Sequence, residues 1–119
     1  MSRDLATGVD LVEVERFARA LQQRPRLLDR IFTEAERACC AGDNERLAAR
    51  FAAKEATFKA LGEGWPLVAY HDVEVVTQDT GAPSLRLRGV ASSLAGRRDV
   101  AVSLSHTAGL AVAQVVIAT

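Results

Sequence analysis

Two carboxylate side chains stand in apolar surroundings in this sequence. Asp10 interrupts an apolar run near the N-terminus, and Glu55 lies in a long helical pattern among the apolar residues between Phe51 and Phe58. A carboxylate among apolar groups is costly unless it is paired or bound to a metal. Magnesium binds through one or two carboxylates, with water and substrate phosphates completing its shell. Together the two residues therefore indicate a magnesium–phosphate site.

Three basic residues lie on the same predicted helix as Glu55: Arg50, Lys54 and Lys59. Lysine and arginine can offset the negative charge of a bound phosphate. A purely structural explanation stays open for each carboxylate. Lys59 follows Glu55 by four residues and can pair with it, and Asp10 can cap the helix that follows its strand. Gly8, two residues before Asp10, lies on the same face of a regular strand and is expected to leave room for a ligand.

His106 is a third candidate, at the end of an apolar strand after Ser103 and Ser105. A lone histidine there is more often a hydrogen-bonded turn residue than a ligand. The sequence contains no Gly-Lys-Ser/Thr phosphate loop and no GxGxxG motif, which argues against the commonest nucleotide-binding solutions. The chemistry of the residues alone leaves the reaction open.

The elements that must position these residues follow from periodicity and from turn signals. Helices are predicted over residues 13–23, 34–41, 44–61 and 90–96. Strands are predicted over residues 5–12, 72–77, 84–87, 100–105 and 110–117, with the last two joined by a loop of about five residues. The sum is an α+β fold in which an antiparallel sheet packs against the long helix. We expect one small domain over residues 1–119.

Composition restricts the classes of partner. The chain has 15 basic and 15 acidic residues, so its net charge is zero and the overall charge expected of a nucleic-acid-binding protein is absent. Arginines nevertheless crowd the first third, either as a solvated helical face or as a docking surface for an acidic partner: Arg16, Arg19, Arg24, Arg26, Arg30 and Arg37.

The two cysteines and the apolar stretches bear on location. Cys39 and Cys40 are adjacent, a spacing that suits neither a disulfide nor a zinc site, and this favours a reducing, cytoplasmic setting. The first four residues do not form the start of a signal peptide. The longest apolar stretch is too short to cross a bilayer, so we expect no membrane association.

Three segments together resemble the holo-acyl-carrier-protein synthases, which are 4′-phosphopantetheinyl transferases. Residues 8–16 (GVDLVEVER) resemble the N-terminal motif of that family. Residues 50–64 (RFAAKEATFKALGEG) match its central motif almost letter for letter, and residues 102–116 (VSLSHTAGLAVAQVV) look like its C-terminal hairpin. The central motif is highly specific, and the resemblance spans nearly the whole chain.

The resemblance implies a Mg²⁺-dependent transfer of phosphopantetheine from coenzyme A to a serine of an acyl carrier protein, releasing adenosine 3′,5′-bisphosphate. It implies a 4′-phosphopantetheinyl transferase fold and a homotrimer with active sites between subunits. Asp10 and Glu55 become the metal ligands, and Lys59 joins them as a catalytic residue on the phosphates. The coenzyme A site is expected to include Arg50, Lys54, Lys59, Ser105 and His106. Carrier docking is expected at Arg16, Arg24 and Arg26.

Two segments depart from the family pattern, and one of them, between Gly89 and Val100, is shorter than the resemblance leads us to expect. Residues 65–70 (WPLVAY) lack the glycines and the basic residue that the resemblance leads us to expect there. This departure keeps a second hypothesis open, a non-catalytic module with the same fold that binds carrier proteins.

Overall fold

The structure, a computed structural model, describes residues 5–118. It confirms the α+β class. In chain order the elements are β1 (Leu5–Glu13), α1 (Val14–Gln23), α2 (Arg26–Ile31), α3 (Glu34–Cys40), α4 (Asn44–Leu61), a 3₁₀ turn (Tyr70–Asp72), β2 (Val73–Thr77), β3 (Pro83–Leu87), α5 (Gly89–Ala95), β4 (Asp99–Thr107) and β5 (Leu110–Ala118). The prediction about a signal peptide at residues 1–4 lies outside the described residues. Short helix α2 was not predicted from the sequence.

The strands form two antiparallel sheets rather than one. The larger sheet has the order β1-β5-β4, and β2 pairs with β3 in a separate hairpin. Successive side chains of a strand point to opposite faces of its sheet. The even-numbered residues of β1, including Asp10, lie on the face that packs against α4. The odd-numbered residues face outward.

The hairpin between β4 and β5 is tighter than predicted. Its turn consists of Ala108 and Gly109, whose φ angles are +51° and +77°. Two consecutive residues with positive φ are the requirement of a type I′ turn, whose twist matches that of the flanking strands. The expectation of a five-residue loop is therefore wrong, and Ser105 and His106 belong to strand β4.

Helix α4 is the centre of the core, and it is buried on nearly every side because much of its surface is alanine. The side chains of Ala48, Ala52, Ala53 and Ala56 are fully buried. The helix begins at the cap Asp43, whose carboxylate accepts from the backbone N–H groups of two residues, and ends at the left-handed Gly62.

Gly8 allows β1 to cross α4 at close range. A β-carbon at this position would lie 1.9 Å from the carbonyl oxygen of Ala56. The space beside Gly8 is therefore filled by helix backbone, and the expectation that it leaves room for a ligand is wrong. The consequence for the site is that the next inward-facing residue, Asp10, is held close to the second half of α4.

A buried ion pair connects α4 to its neighbours. Lys54 Nζ lies 2.8 Å from Glu36 Oε1, and both side chains are fully buried. The same ammonium group donates to the carbonyl oxygens of Tyr70 at 3.0 Å and Val73 at 2.5 Å. Glu36 in turn accepts from the backbone N–H of Val75 at 2.9 Å. Burial lowers the pKa of Lys54, and the Glu36 carboxylate opposes that shift.

The Glu36 carboxylate also closes a helix cap. The Thr33 hydroxyl accepts from the Glu36 N–H, and Glu36 Oε1 accepts from the Thr33 N–H at 2.9 Å, which is a capping box. The Thr33 hydroxyl also donates to Glu74 Oε2 at 2.6 Å. Helix α3, helix α4 and strand β2 are thus joined through one set of buried polar contacts.

Candidate active site

A cleft of about 650 Å³ opens between the end of β1, helices α1, α2 and α4, and the segment that leads into the 3₁₀ turn. Asp10 and Glu55 both line it, as the metal-site hypothesis requires. The rest of the lining is largely apolar and aromatic, with two arginines: Leu11, Val12, Glu13, Arg16, Phe17, Ala20, Leu27, Arg30, Ile31, Phe51, Trp65 and Tyr70. The cleft therefore combines a small group of polar atoms with an apolar wall, which is usual for a small-molecule site.

Asp10 is paired with a lysine of α4. Lys59 Nζ lies 3.1 Å from Asp10 Oδ1 and 2.9 Å from the carbonyl oxygen of Val9. The Asp10 side chain is 18% exposed and that of Lys59 is 55% exposed, so the lysine can reach solvent or a ligand from this position. Lys59 therefore reaches across to β1 rather than back to Glu55. Asp10 also does not cap α1, because that helix is preceded by Glu13.

Glu55 has a different partner, which the sequence reasoning missed. The Tyr70 hydroxyl donates to Glu55 Oε1 at 2.7 Å. Burial raises the pKa of Tyr70, and the Glu55 carboxylate raises it further, so the phenol stays protonated as a donor. Tyr70 is the one tyrosine of the chain, and it lies in segment 65–70, which departs from the family pattern.

Aromatic rings form the wall behind Glu55. Tyr70 stacks on Trp65 with ring centroids 5.5 Å apart, and it also packs against Phe51 and Phe58. The guanidinium of Arg30 lies over the Trp65 ring, 5.5 Å from its centroid. Segment 65–70 thus builds one side of the cleft with aromatic groups.

The polar atoms at this site suit a hard cation that shares its shell with phosphate. Among residues 5–118, no group of three or more His, Cys, Asp or Glu side chains is close enough to hold a metal ion. A zinc site built from protein ligands alone would need such a group. Mg²⁺ needs only one or two carboxylates when substrate phosphates complete its octahedron, and Asp10 and Glu55 fit that requirement.

The three residues predicted for carrier docking differ in how they relate to the cleft. Arg16 lines it directly. Arg24, just after α1, and Arg26, the first residue of α2, are exposed on either side of Pro25. Neither Arg24 nor Arg26 is part of the cleft lining, so only Arg16 of the predicted docking residues faces the cleft directly.

The other residues predicted for the coenzyme A site do not line this cleft. The Lys54 ammonium group is in the interior, where it bonds to Glu36 and to two backbone carbonyls. Its side chain thus lies outside the cleft that this structure describes. Ser105 lies on the outward face of β4, and His106 Nδ1 lies 2.6 Å from Glu45 Oε2 at the start of α4.

Arg50 is also largely buried. It is 7% exposed, and its guanidinium donates to Thr77 Oγ1 at 3.2 Å. Its Nε is buried without a hydrogen-bond partner among residues 5–118. Arg50 and His106 both lie in or beside the first half of α4, away from the second half that carries Glu55 and Lys59.

Comparison with known proteins identifies relatives over almost the whole chain. The sequence model of a family described as the 4′-phosphopantetheinyl transferase superfamily matches residues 6–116. A protein of Frankia alni named holo-[acyl-carrier-protein] synthase is 49% identical over 115 residues, which cover 94% of this chain and 95% of the relative.

Solved structures of similar fold include complexes with coenzyme A. The Chronobacterium ammoniagenes ACPS–CoA complex superposes with a TM-score of 0.88 at 30% identity, covering 98% of both chains. A holo-(acyl-carrier-protein) synthase from Bacillus anthracis in complex with CoA (3′,5′-ADP) gives a TM-score of 0.81 at 36% identity, covering 96% of both chains. No helix within residues 5–118 is both long enough and apolar enough to traverse a bilayer.

Proposed function

This chain belongs to the 4′-phosphopantetheinyl transferase superfamily, and we propose that it is a holo-acyl-carrier-protein synthase acting as a single domain. Its substrates are coenzyme A and the apo form of an acyl carrier protein. The observation that carries the proposal is the meeting of Asp10 and Glu55 in one cleft, with Lys59 beside them. The relatives named for this activity and the structures that hold coenzyme A support it.

The proposed reaction is a nucleophilic displacement at phosphorus. The hydroxyl oxygen of the carrier serine forms a bond to the β-phosphorus of coenzyme A, and the bond from that phosphorus to the bridging oxygen breaks. Adenosine 3′,5′-bisphosphate leaves with that oxygen. The Bacillus anthracis synthase in complex with CoA (3′,5′-ADP) is in keeping with this product.

The acidic and basic side chains of the site have different roles in this reaction. Asp10 and Glu55 would hold Mg²⁺, which would supply positive charge that polarises the pyrophosphate. Lys59, half exposed and now resting on Asp10, turns to the phosphate oxygens and offsets the charge that develops on them. Glu55, which contacts the aromatic wall of the cleft through Tyr70, also takes the proton of the serine hydroxyl.

We further propose that the protein works as a homotrimer whose sites lie between subunits. The outward face of β1 carries exposed apolar side chains: Leu5 is 63% exposed, Val9 55% and Leu11 63%. An exposed face of this kind favours association with another protein surface. Ser105 and His106 are exposed outside the cleft of their own chain, so they become available to the coenzyme A site of a neighbour. The free thiols of Cys39 and Cys40 support a reducing, cytoplasmic location.

Conservative changes at the two carboxylates test the metal site. Asp10→Asn and Glu55→Gln keep the size of each side chain while removing its charge, so each is expected to lower kcat at least 100-fold with little change in thermal stability. Transfer is measured by the mass gained by the carrier protein over time. Glu63→Gln, an exposed acid just after α4, is the control and is expected to retain full activity. Wild-type turnover in both Asp10→Asn and Glu55→Gln would rule out the assigned site.

Charge reversal on α1 tests carrier docking. Arg16 lines the cleft and its side chain is 79% exposed, so Arg16→Glu is expected to raise KM for the acidic carrier about tenfold. KM for coenzyme A should change less than twofold. Arg97→Glu, an equal charge change on the exposed segment after α5, is the control. Equal effects of Arg16→Glu on the two KM values would contradict a docking role.

The assembly is tested by placing a charge on the outward sheet face. Val9→Glu buries a carboxylate in the proposed interface, so sedimentation equilibrium is expected to show monomers where the wild type shows trimers. Val90→Glu introduces the same charge at a position that is 38% exposed on α5, and it should leave the trimer intact. A wild-type protein that stays monomeric at micromolar concentration would overturn the proposal of sites between subunits.

A further inference from the structure

We propose that Tyr70 is a positioning residue for Glu55, fixing the carboxylate so that it can bind the cation and accept the serine proton. This inference rests on the proposed function, since it presupposes that Glu55 has those roles. It also gives a function to segment 65–70, for which the sequence pattern indicated none.

The contact has the geometry of a strong, charge-assisted hydrogen bond. The Tyr70 hydroxyl lies 2.7 Å from Glu55 Oε1, at the distance expected when a hydroxyl donates to an ionised carboxylate. A carboxylate can accept about four hydrogen bonds through its two oxygens. One bond from Tyr70 therefore restricts the rotation of the group and still leaves Oε2 for a cation or a proton.

Tyr70 is itself held from two directions, which makes it suitable for this task. Its ring packs on three others, with centroids 5.1 Å from Phe58, 5.5 Å from Trp65 and 5.9 Å from Phe51. Its backbone carbonyl accepts from the buried Lys54 ammonium at 3.0 Å. Because ring and backbone are both fixed, the hydroxyl has little freedom to leave Glu55.

The chemical consequence is pre-organisation of the site. A glutamate side chain has three rotatable bonds, and a free Glu55 would have to be ordered each time the cation binds. Partners that hold a metal-ligating group typically account for about 10–100-fold in metal affinity or activity. We expect the lower end of that range here, about tenfold, because Glu55 is only half buried.

The test is the variant Tyr70→Phe, which keeps the aromatic packing and removes only the hydroxyl. The full-length protein, saturated with coenzyme A, is titrated with Mn²⁺, and bound metal is counted from the loss of the free-ion electron paramagnetic resonance signal. Tyr70→Phe is expected to bind Mn²⁺ about tenfold more weakly. Its KM for Mg²⁺ in carrier transfer should rise to the same extent, with KM for the carrier unchanged.

Thr57→Val is the matched control. Thr57 lies on the same helix, and its hydroxyl donates to the Ala53 carbonyl at 2.7 Å, so the change also removes one buried hydroxyl at constant shape. Wild-type metal binding in Thr57→Val together with weakened binding in Tyr70→Phe supports the inference. Equal metal binding in Tyr70→Phe and the wild type overturns it.

Glu55→Gln separates this inference from the proposed function. If Glu55→Gln loses metal and transfer while Tyr70→Phe behaves as the wild type, the proposed function stands and the role of Tyr70 is refuted. If Glu55→Gln still binds Mn²⁺ and transfers phosphopantetheine at the wild-type rate, the metal site itself is refuted, and the role of Tyr70 with it.

A measurement on the wild-type protein tests the same hydrogen bond even if the Tyr70→Phe variant does not fold. Because Tyr70 is the one tyrosine of the chain, ultraviolet resonance Raman bands of tyrosine report on its hydroxyl alone. They should show a strong hydrogen-bond donor in the free protein and a measurable shift when Mn²⁺ and coenzyme A bind. Bands typical of a hydroxyl in water, unchanged by Mn²⁺, would contradict the proposal.

Discussion

The buried ion pair between Lys54 and Glu36 is the interaction on which the arrangement of this site depends. An ammonium group without exposure to solvent is costly, and the Lys54 side chain is stabilised by one carboxylate and two backbone carbonyls. Those carbonyls belong to Tyr70 and Val73, at the point where the aromatic segment enters β2. The pair therefore sets the position of that segment relative to α4, and with it the position of the Tyr70 hydroxyl over Glu55. Removing one partner of such a pair typically costs about 3–5 kcal/mol because the other charge is left buried.

A second constraint is the close crossing of β1 over α4. The absence of a side chain at Gly8 lets the strand lie against the Ala56 backbone, and Asp10 follows within reach of Lys59. The two carboxylates of the site thus come from elements that pack directly on one another. The fold supplies a rigid base for charged groups, while the apolar cleft beside them limits competing water.

Much of the fold could be predicted from the sequence because its signals are local. The capping box of Thr33 and Glu36 and the left-handed Gly62 mark helix ends through contacts within a few residues. The two-residue turn at Ala108 was missed because alanine seldom adopts positive φ. The separation into two sheets was missed because strand pairing depends on tertiary packing, which periodicity does not report.

The residues of the site also divide into those that the sequence indicates and those that only the structure reveals. Asp10 and Glu55 were recognisable because carboxylates in apolar patterns need an explanation. The partners of the basic residues were not, since Lys54 meets Glu36 and Lys59 meets Asp10 across gaps of 18 and 49 residues. Tyr70 was missed for the same reason: its partner Glu55 is 15 residues away and on another element. A single tyrosine beside an aspartate and a histidine carries no pattern that indicates a contact with a helix.

The central claim is that this cleft transfers phosphopantetheine with the help of Mg²⁺. The most direct measurement is the intact mass of an apo-acyl carrier protein after incubation with the wild-type protein and coenzyme A, with and without Mg²⁺. The account predicts a gain of one phosphopantetheine group that requires the metal. No gain on fatty-acid, polyketide or peptide-synthase carriers, with carrier binding retained, would contradict it and would favour a non-catalytic carrier-binding module.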